Sequence, residues 1–246
     1  EAGRTGRPYP VHAHSRWCVN ALSAEHRAYL NEHAVPDAVI DAAGVTSQGG
    51  EILFPWRDSD TVTVQRRPWP GKPGEYYWEK GEPLHFWVHR DPSPDAPVLL
   101  VEGTKQSLAA HAWAPAGYAV YGMVGCEGAS RVKLKRFKGR RIIVINDADA
   151  ATNPNVYSAA ATLAKRLDFY TKDVSFTRLP ARGTAGLDDV LASEFDPDER
   201  PEFIEHLVQG AGGKPADRIP PARSGGKPED SGPPGVGDRV AVMVNE

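Results

Sequence analysis

Apolar residues in the middle of the chain occur in short runs of the kind that form buried strands. The runs are "VLLV" (98–101), "YAVYGMVG" (118–125), "RIIVIN" (141–146) and "DVSFTRLP" (173–180). Helical patterns separate them, one opening after Gly103 and another at "VYSAAATLAKRL" (156–167). The order strand, helix, strand, strand, helix, strand predicts an α/β layer with a mainly parallel sheet.

The preceding stretch alternates apolar and polar positions instead. Residues 51–90, "EILFPWRDSDTVTVQRRPWPGKPGEYYWEKGEPLHFWVHR", alternate between Pro and Gly turns, which predicts a small antiparallel β unit. Before it, residues 23–44 predict two short helices, with Ser23 as the N-cap of the first, Pro36 at the start of the second and Gly44 closing it. We therefore expect an α+β subdomain ahead of the parallel sheet.

The composition shifts again after about Gly210. The stretch "GAGGKPADRIPPARSGGKPEDSGPPGVGD" is rich in Gly, Pro, Ser and charge, which predicts a flexible linker. The final "RVAVMVNE" resembles the opening of a strand that stops short, as in a piece of a longer chain. The predicted division is an N-terminal extension, an α+β subdomain, an α/β domain and a linker or tail, at 1–22, 23–97, 98–209 and 210–246.

Composition argues against several classes of protein. No run reaches the roughly 18 apolar residues of a membrane span, and the arginine-bearing start has no apolar signal-peptide core, so a cytoplasmic protein is expected. Two cysteines, Cys18 and Cys126, argue against a disulfide scaffold and a four-cysteine zinc site. With 246 residues, 40% of them hydrophobic, the chain can form a substantial core.

The net charge is only −3, but the charges are segregated along the chain. The run "RVKLKRFKGRR" contains no acid, whereas "LDDVLASEFDPDERPEFIE" contains a single base. Such asymmetry indicates one surface that attracts anions and another that is solvated. A basic run can also be a solvated turn, but its position just before an acidic strand end favours phosphate binding. The candidate residues are Lys133, Lys135, Arg136, Lys138, Arg140 and Arg141, with Lys105, Arg66 and Arg67 as weaker candidates.

Three carboxylates follow the apolar runs. Glu102 ends the first, and Asp147 and Asp149 follow the third, two residues apart, so that both project to one side of an extended segment. Neighbouring parallel strands end at the same edge of a sheet, where open α/β sheets build their sites. Three crowded carboxylates need a cation, and oxygen ligands suit Mg²⁺ or Mn²⁺. Glu102 alone can equally cap the following helix, but the three together favour a metal site.

These residues together resemble a TOPRIM domain, the metal-binding module shared by bacterial-type primases, topoisomerases and some nucleases. The resemblance rests on Glu102 in "VEGTKQSLAA", the glycine region "GMVGCEGAS" and the Asp-x-Asp of "VINDADAATN". Upstream, "ILFPWRDSDTVTVQRR" is similar to the small N-terminal part of the bacterial primase polymerase core. The segment "GLDDVLA" resembles one that follows the TOPRIM core in primase-like proteins of phages and plasmids. The resemblance covers residues 23–205.

The resemblance implies a Rossmann-like TOPRIM fold and a primase-like nucleotidyltransferase that synthesises short primers on single-stranded DNA, in a phage or plasmid branch. Glu102, Asp147 and Asp149 are then the catalytic residues and the ligands of two Mg²⁺ or Mn²⁺ ions. The expected partners are a single-stranded DNA template, nucleoside triphosphates and a helicase, separate or in a longer chain, with no membrane. The sequence departs from primases in lacking zinc-ribbon cysteines ahead of the core and in carrying Glu75-Tyr76 where Lys-Tyr is usual.

Several alternatives stay open at this point. The same three acids can serve a metal-dependent nuclease, and a nucleic-acid-binding module with an idle metal site is a third possibility. Asp188 and Asp189 either add an acid near the metals or simply begin a helix. The aromatic residues of the β unit can stack on bases, although such residues more often form a core. They are Trp56, Trp69, Tyr76, Tyr77, Trp78, Phe86 and Trp87.

Overall fold

The computed structural model describes residues 21–71, 76–180, 183–217 and 219–221, together with the backbone of 239–241. Seven helices lie within these ranges, five of them in the α/β part of the chain. They are α1 (Ala24–Glu32), α2 (Asp37–Ala43), α3 (Thr104–Trp113), α4 (Gly125–Ala129), α5 (Pro154–Leu167), α6 (Leu187–Glu194) and α7 (Arg200–Gln209). Among the described helices, none combines the length and the hydrophobicity needed to cross a membrane.

The two N-terminal helices have the predicted ends. Oγ of Ser23 accepts a hydrogen bond from the backbone N–H of His26 at 3.2 Å, which caps α1. Pro36 precedes α2, and Gly44 closes it in the left-handed conformation with φ of 71°. The two helices bury Leu30 and Ile40 completely, so this short helical pair is anchored to the core.

The predicted antiparallel β unit forms the first of two sheets. Its strands lie in the order β1, β2, β3, β4 and β10, with every neighbouring pair antiparallel. Their ranges are β1 (Thr46–Gln48), β2 (Glu51–Asp58), β3 (Thr61–Pro68), β4 (Tyr77–Glu79) and β10 (Arg239–Ala241). The strand opening predicted near the end of the sequence therefore pairs with β4.

The second sheet has the strand order β5, β7, β6, β8, β9, in which β7, β6, β8 and β9 are parallel. The ranges are β5 (Trp87–Arg90), β6 (Val98–Glu102), β7 (Ala119–Met123), β8 (Ile142–Ile145) and β9 (Val174–Phe176). The alternating pattern places β5 in the first unit, but it pairs antiparallel with β7 instead. Trp87 is buried on this edge, so β5 extends the parallel sheet by satisfying the free edge of β7.

Alternate residues of the parallel strands face two separate cores. Leu99 and Val101 face a core shared with α3, α6, α7, the N-terminal helices and the first sheet. Leu100 and Val144 face the other core, which α5 and the segment around Phe137 cover. Trp56 and Gln65 of the first sheet line a pocket together with Gly103 and Asp147, which follow β6 and β8.

The predicted linker begins with residues that contact the sheet. Gly212 and Phe176 exchange backbone hydrogen bonds of 2.7 and 2.8 Å, and Ala216 is buried. Asp217 forms an ion pair with Arg178 at 3.2 Å. Most of the remaining predicted linker lies outside the described residues.

Candidate functional site

The predicted carboxylates lie at the carboxyl edge of the parallel sheet. Glu102 is the last residue of β6, and Asp147 follows β8, its direct parallel neighbour. Asp149 lies in the short 3₁₀ turn that comes next. All three are buried, with exposed fractions of 7%, 4% and 5%.

Glu102 does not cap the helix that follows it. The N-cap of α3 is Gly103, and no side chain caps this helix. Oε1 of Glu102 instead accepts a hydrogen bond of 3.3 Å from the backbone N–H of Cys126, in the first turn of α4, and Oε2 accepts one of 2.8 Å from Nδ2 of Asn146. The sequence prediction missed Cys126 and Asn146, although Asn146 directly precedes Asp147 and Cys126 lies in the glycine region.

The other two acids are also held by amide side chains. Oδ1 of Asp147 accepts a short hydrogen bond from Nε2 of Gln106, on the first turn of α3. Oδ2 of Asp149 accepts one of 3.0 Å from Nδ2 of Asn153, the N-cap of α5. Gln106 and Asn153 were also missed, since isolated amides carry no recognisable spacing.

Burial and mutual repulsion make the ionised acids unfavourable. Burial raises the pKa of Asp147 well above its usual range, and the charges of Glu102, Asp149 and Asp188 add to the shift. Burial also raises the pKa of Glu102, with Asp149 adding to it and the hydrogen bonds from Asn146 and Cys126 opposing it. For Asp149 burial raises the pKa as well. A bound cation would remove this penalty.

Asp188 and Asp189 have different roles at the start of α6. Oδ2 of Asp189 accepts a hydrogen bond of 3.0 Å from the N–H of Gly186, which is the helix-start arrangement. Asp188 is 2% exposed and faces a cation, with Oδ2 at 3.4 Å from Nζ of Lys105 and 3.2 Å from Nδ1 of His33. Burial lowers the pKa of His33, but its hydrogen bonds to the two aspartates outweigh this and leave it raised.

Within the described residues, one group of three potential metal ligands has all its ligand atoms within 4.8 Å of one another. It consists of His33, Asp188 and Asp189. The three predicted acids interact through their charges, since Asp149 raises the pKa of Glu102, and Glu102 and Asp149 raise that of Asp147. Asp147 connects the two groups, because Glu102, Asp149 and Asp188 all raise its pKa.

The last two residues of the basic run lie at the opposite edge of the sheet. Its last residues, Arg140 and Arg141, precede Ile142, the first residue of β8, whereas Asp147 follows the end of that strand. The four residues of β8 separate the two edges by roughly 13 Å. The position before an acidic strand end, which favoured phosphate binding, therefore places Arg140 and Arg141 at the far end of β8 from Asp147.

Individual cations of the run have distinct environments. Arg140 is 4% exposed and pairs with Asp91 at 2.8 Å, so it has a structural role. Arg136 pairs with Asp58 at 2.7 Å, and Arg141 lies 3.9 Å from Asp173. Three exposed lysines remain without an ion pair within the described part of the chain, namely Lys133, Lys135 and Lys138.

One of the weaker candidates, Lys105, lies beside the acids, and Arg67 contacts the same aromatic ring as Lys105. Lys105 lines a pocket together with Asp147, Tyr76 and Asp188. Nζ of Lys105 lies 5.1 Å from the ring centre of Tyr29, and Cζ of Arg67 lies 4.5 Å from the same ring. Arg66, one residue earlier on β3, pairs instead with Glu51 and Glu79 at 3.2 Å each.

The aromatic residues of the β unit are mainly core residues. Trp56 stacks on Trp87 with ring centres 5.6 Å apart, and Trp78 packs edge-on against Trp56 at 5.5 Å. Phe86, Tyr76 and Tyr77 are also buried, whereas Trp69 is half-buried against Tyr29. Base stacking by this set would require opening the core.

No protein-family model matches this sequence, and no curated protein matches it. Among the solved structures that share its fold, three align at 14% sequence identity. The DnaG catalytic core aligns with a TM-score of 0.56 over 77% of this chain and 74% of that one. The E. coli primase catalytic core aligns with 0.53 over 75% and 72%, and the DnaG primase catalytic domain bound to single-stranded DNA with 0.52 over 76% and 74%. The predicted TOPRIM fold with a small N-terminal α+β unit is therefore confirmed.

Proposed function

We propose that this chain is the catalytic core of a primase-like nucleotidyltransferase that synthesises short primers on single-stranded DNA. The observation that carries the proposal is the burial of Glu102, Asp147 and Asp149 at one edge of a sheet whose fold is similar to DnaG catalytic cores. Burying acids that repel one another lowers stability, and such arrangements cluster at functional sites. A catalytic role accounts for them better than a structural one.

Divalent metal ions fit this site. Oδ1 of Asp149 is buried and has no hydrogen-bond partner within the described residues, so the fold leaves this oxygen donor unused. Carboxylate oxygens are the ligands that Mg²⁺ and Mn²⁺ prefer. Glu102, Asp147 and Asp149 hold two such ions in the proposed enzyme. When bound, they supply positive charge that activates the attacking 3′-hydroxyl group and neutralises the leaving pyrophosphate.

Lys105 and Arg67 bind the triphosphate in this proposal. Lys105 lines the same pocket as Asp147, and both cations contact the ring of Tyr29. Nε and Nη1 of Arg67 are buried and lack hydrogen-bond partners in the described part of the chain, so the guanidinium retains donors for an anion. The two cations hold the phosphates beside the acids and fix the orientation of the nucleotide.

The exposed lysines of the basic run bind the template in this proposal. Lys133, Lys135 and Lys138 are exposed and supply charge for the phosphate backbone. One of the solved structures with this fold is bound to single-stranded DNA, which supports this choice of template. A helicase partner and a phage or plasmid origin are predictions that rest on the sequence resemblance alone.

Primer synthesis on a single-stranded template tests the proposal. With nucleoside triphosphates and Mn²⁺, the wild-type chain should yield products whose amount increases with nucleotide concentration. Glu102→Gln should yield none and still bind DNA, because the change removes a metal ligand and leaves the basic surface intact. Asp60→Asn is the matched control, since Asp60 is an exposed acid in the turn between β2 and β3, and it should retain synthesis.

Two other outcomes would overturn the proposed primase function. Metal-dependent shortening of the DNA, with no product growth at any nucleotide concentration, would identify a nuclease that uses the same acids. DNA binding with neither synthesis nor cleavage would identify a binding module. Gel analysis of one end-labelled template separates the three outcomes in a single experiment.

A further inference from the structure

Gln106 is a buried amide that connects two parts of the site. It is 7% exposed and lies in the first turn of α3. Its Nε2 donates to Oδ1 of Asp147, and its Oε1 accepts a hydrogen bond of 2.9 Å from the backbone N–H of Leu187, the first residue of α6. The amide therefore joins the carboxyl end of β8 to the start of α6.

The orientation of this amide follows from its two partners. The backbone N–H of Leu187 can only donate, so it must face Oε1 of Gln106. Rotating the amide by 180° would place two donors together at Leu187 and two acceptors together at Asp147. The group that faces Asp147 is consequently the NH₂ group, and one oxygen of this acid has a fixed partner.

The backbone at Gly186 passes directly against the amide. A Cβ atom at Gly186 would lie 2.5 Å from Cδ and 2.6 Å from Nε2 of Gln106, and 2.8 Å from Oδ1 of Asp188. The φ of Gly186 is −93°, so the glycine is required by the close approach and not by its backbone conformation. A side chain at 186 would push Gln106 away from Asp147 or displace the start of α6.

The neutral charge of the Gln106 amide also suits its position beside Asp147. A lysine or arginine at 106 would place a permanent cation against Asp147 and compete with a metal ion. A glutamate would add another negative charge beside acids that already repel one another. A neutral amide donates a hydrogen bond without either effect, which is how residues that support metal ligands commonly act.

We propose that Gln106 is a positioning residue that holds Asp147 in the orientation in which it binds a divalent ion and ties this orientation to the start of α6. The inference rests on the proposed metal site. Gln106 fixes Oδ1 of Asp147, and the second carboxylate oxygen is left for the ion. Asp188 follows Leu187 directly, so the same contact sets the distance between Asp147 and Asp188.

Mn²⁺ binding to the full chain, measured by calorimetry and by the free-ion signal in electron paramagnetic resonance, tests this role without any requirement for activity. Gln106→Met keeps the length of the side chain but removes both hydrogen bonds, and the dissociation constant for Mn²⁺ should rise by about tenfold or more. Gly186→Ala keeps Gln106 but displaces it, and should weaken Mn²⁺ binding in the same direction. Gln65→Met is the matched control, because Gln65 is also buried but bonds to Thr104 and not to an acid. Its Mn²⁺ affinity should equal that of the wild type.

Thermal melting of each variant separates folding from positioning. An unchanged Mn²⁺ affinity in folded Gln106→Met would overturn the proposal. If that variant does not fold, an unchanged affinity in Gly186→Ala would do so. A wild-type chain that binds Mn²⁺ through Asp147 but makes no primers would refute the primase function and leave the role of Gln106 standing. A wild-type chain that binds no Mn²⁺ would overturn the positioning role.

Discussion

Nδ2 of Asn146 donates a hydrogen bond to Oε2 of Glu102 at 2.8 Å and thereby connects the ends of β8 and β6. The same Nδ2 atom lies 2.6 Å from Sγ of Cys126, whose backbone N–H donates to the other oxygen of Glu102. Both oxygens of this acid are thus oriented by neighbouring segments. A side chain held this firmly is prepared to bind an ion with little further loss of conformational freedom.

Removing the charge of Asp147 should stabilise the metal-free protein. Its raised pKa means that the folded state binds a proton more readily than the unfolded state, so ionisation near neutral pH lowers the free energy of unfolding. Asp147→Asn keeps an oxygen for Gln106, and the melting temperature without metal should rise by roughly 2–4 °C. The increase that Mn²⁺ produces in the wild type should largely disappear. Asp60→Asn should change neither quantity, and full Mn²⁺ stabilisation of Asp147→Asn would contradict the metal site.

The stacked pair His89 and His111 should make stability fall in mild acid. Their ring centres are 5.4 Å apart, burial lowers the pKa of both, and the shift is large for His89. Below pH 6.5 these histidines bind protons in the unfolded chain but stay neutral in the folded chain. The free energy of unfolding that the neutral pair contributes is therefore complete above pH 6.5 and is lost as the pH falls. Urea unfolding at pH 7.5 and 5.5 should show a smaller decrease for His89→Phe than for the wild type. His206→Gln, on the exposed face of α7, should retain the wild-type decrease.

Substitution of Arg140 should lower stability without changing DNA affinity, and substitution of the exposed lysines should do the reverse. Arg140→Met leaves Asp91 with its hydrogen bond from Tyr121 but without its cationic partner. The free energy of unfolding should fall by about 3 kcal/mol, because Asp91 is partly solvated and the loss lies at the low end for buried pairs. DNA affinity should stay unchanged.

The triple change of Lys133, Lys135 and Lys138 to Ala should shift stability by no more than about 0.5 kcal/mol. It should weaken DNA binding and flatten its salt dependence, as fluorescence anisotropy at several salt concentrations would show. Equal DNA affinity in the triple variant would exclude this surface.

Gly125 should affect the metal site through Glu102. Its φ is 59°, and a Cβ atom there would lie 3.4 Å from Oε1 of Glu102. Gly125→Ala should lower stability by about 1 kcal/mol through backbone strain and should also weaken Mn²⁺ binding by crowding this oxygen. Gly49→Ala is a matched control, since Gly49 has the same φ of 59° and nothing within 4 Å of the added atom. It should lose similar stability and keep its Mn²⁺ affinity in calorimetry. An equal loss of affinity in both variants would show a general effect of instability.

The sequence by itself determined the fold class and the positions of the acids. Short apolar runs separated by helices or loops favour a mainly parallel sheet, so the strands β6, β7, β8 and β9 could be predicted. Acids directly after two such runs must lie at the carboxyl edge, because the direction of a strand decides at which edge its last residue lies. Glu102 and Asp147 follow from these local rules alone.

Only the tertiary structure decided which side chains surround those acids. Gln106 and Asp147 are 41 residues apart, and Asn153 and Cys126 reach their partners through turns that no periodic pattern describes. Arg140 and Arg141 precede the same strand that Asp147 follows, so residues close in sequence lie at opposite edges of the sheet. The tertiary structure also decided the edge position of β5. Its four residues have an alternating pattern that fits either sheet, and β5 joins the second sheet because β7 offers a free edge for pairing.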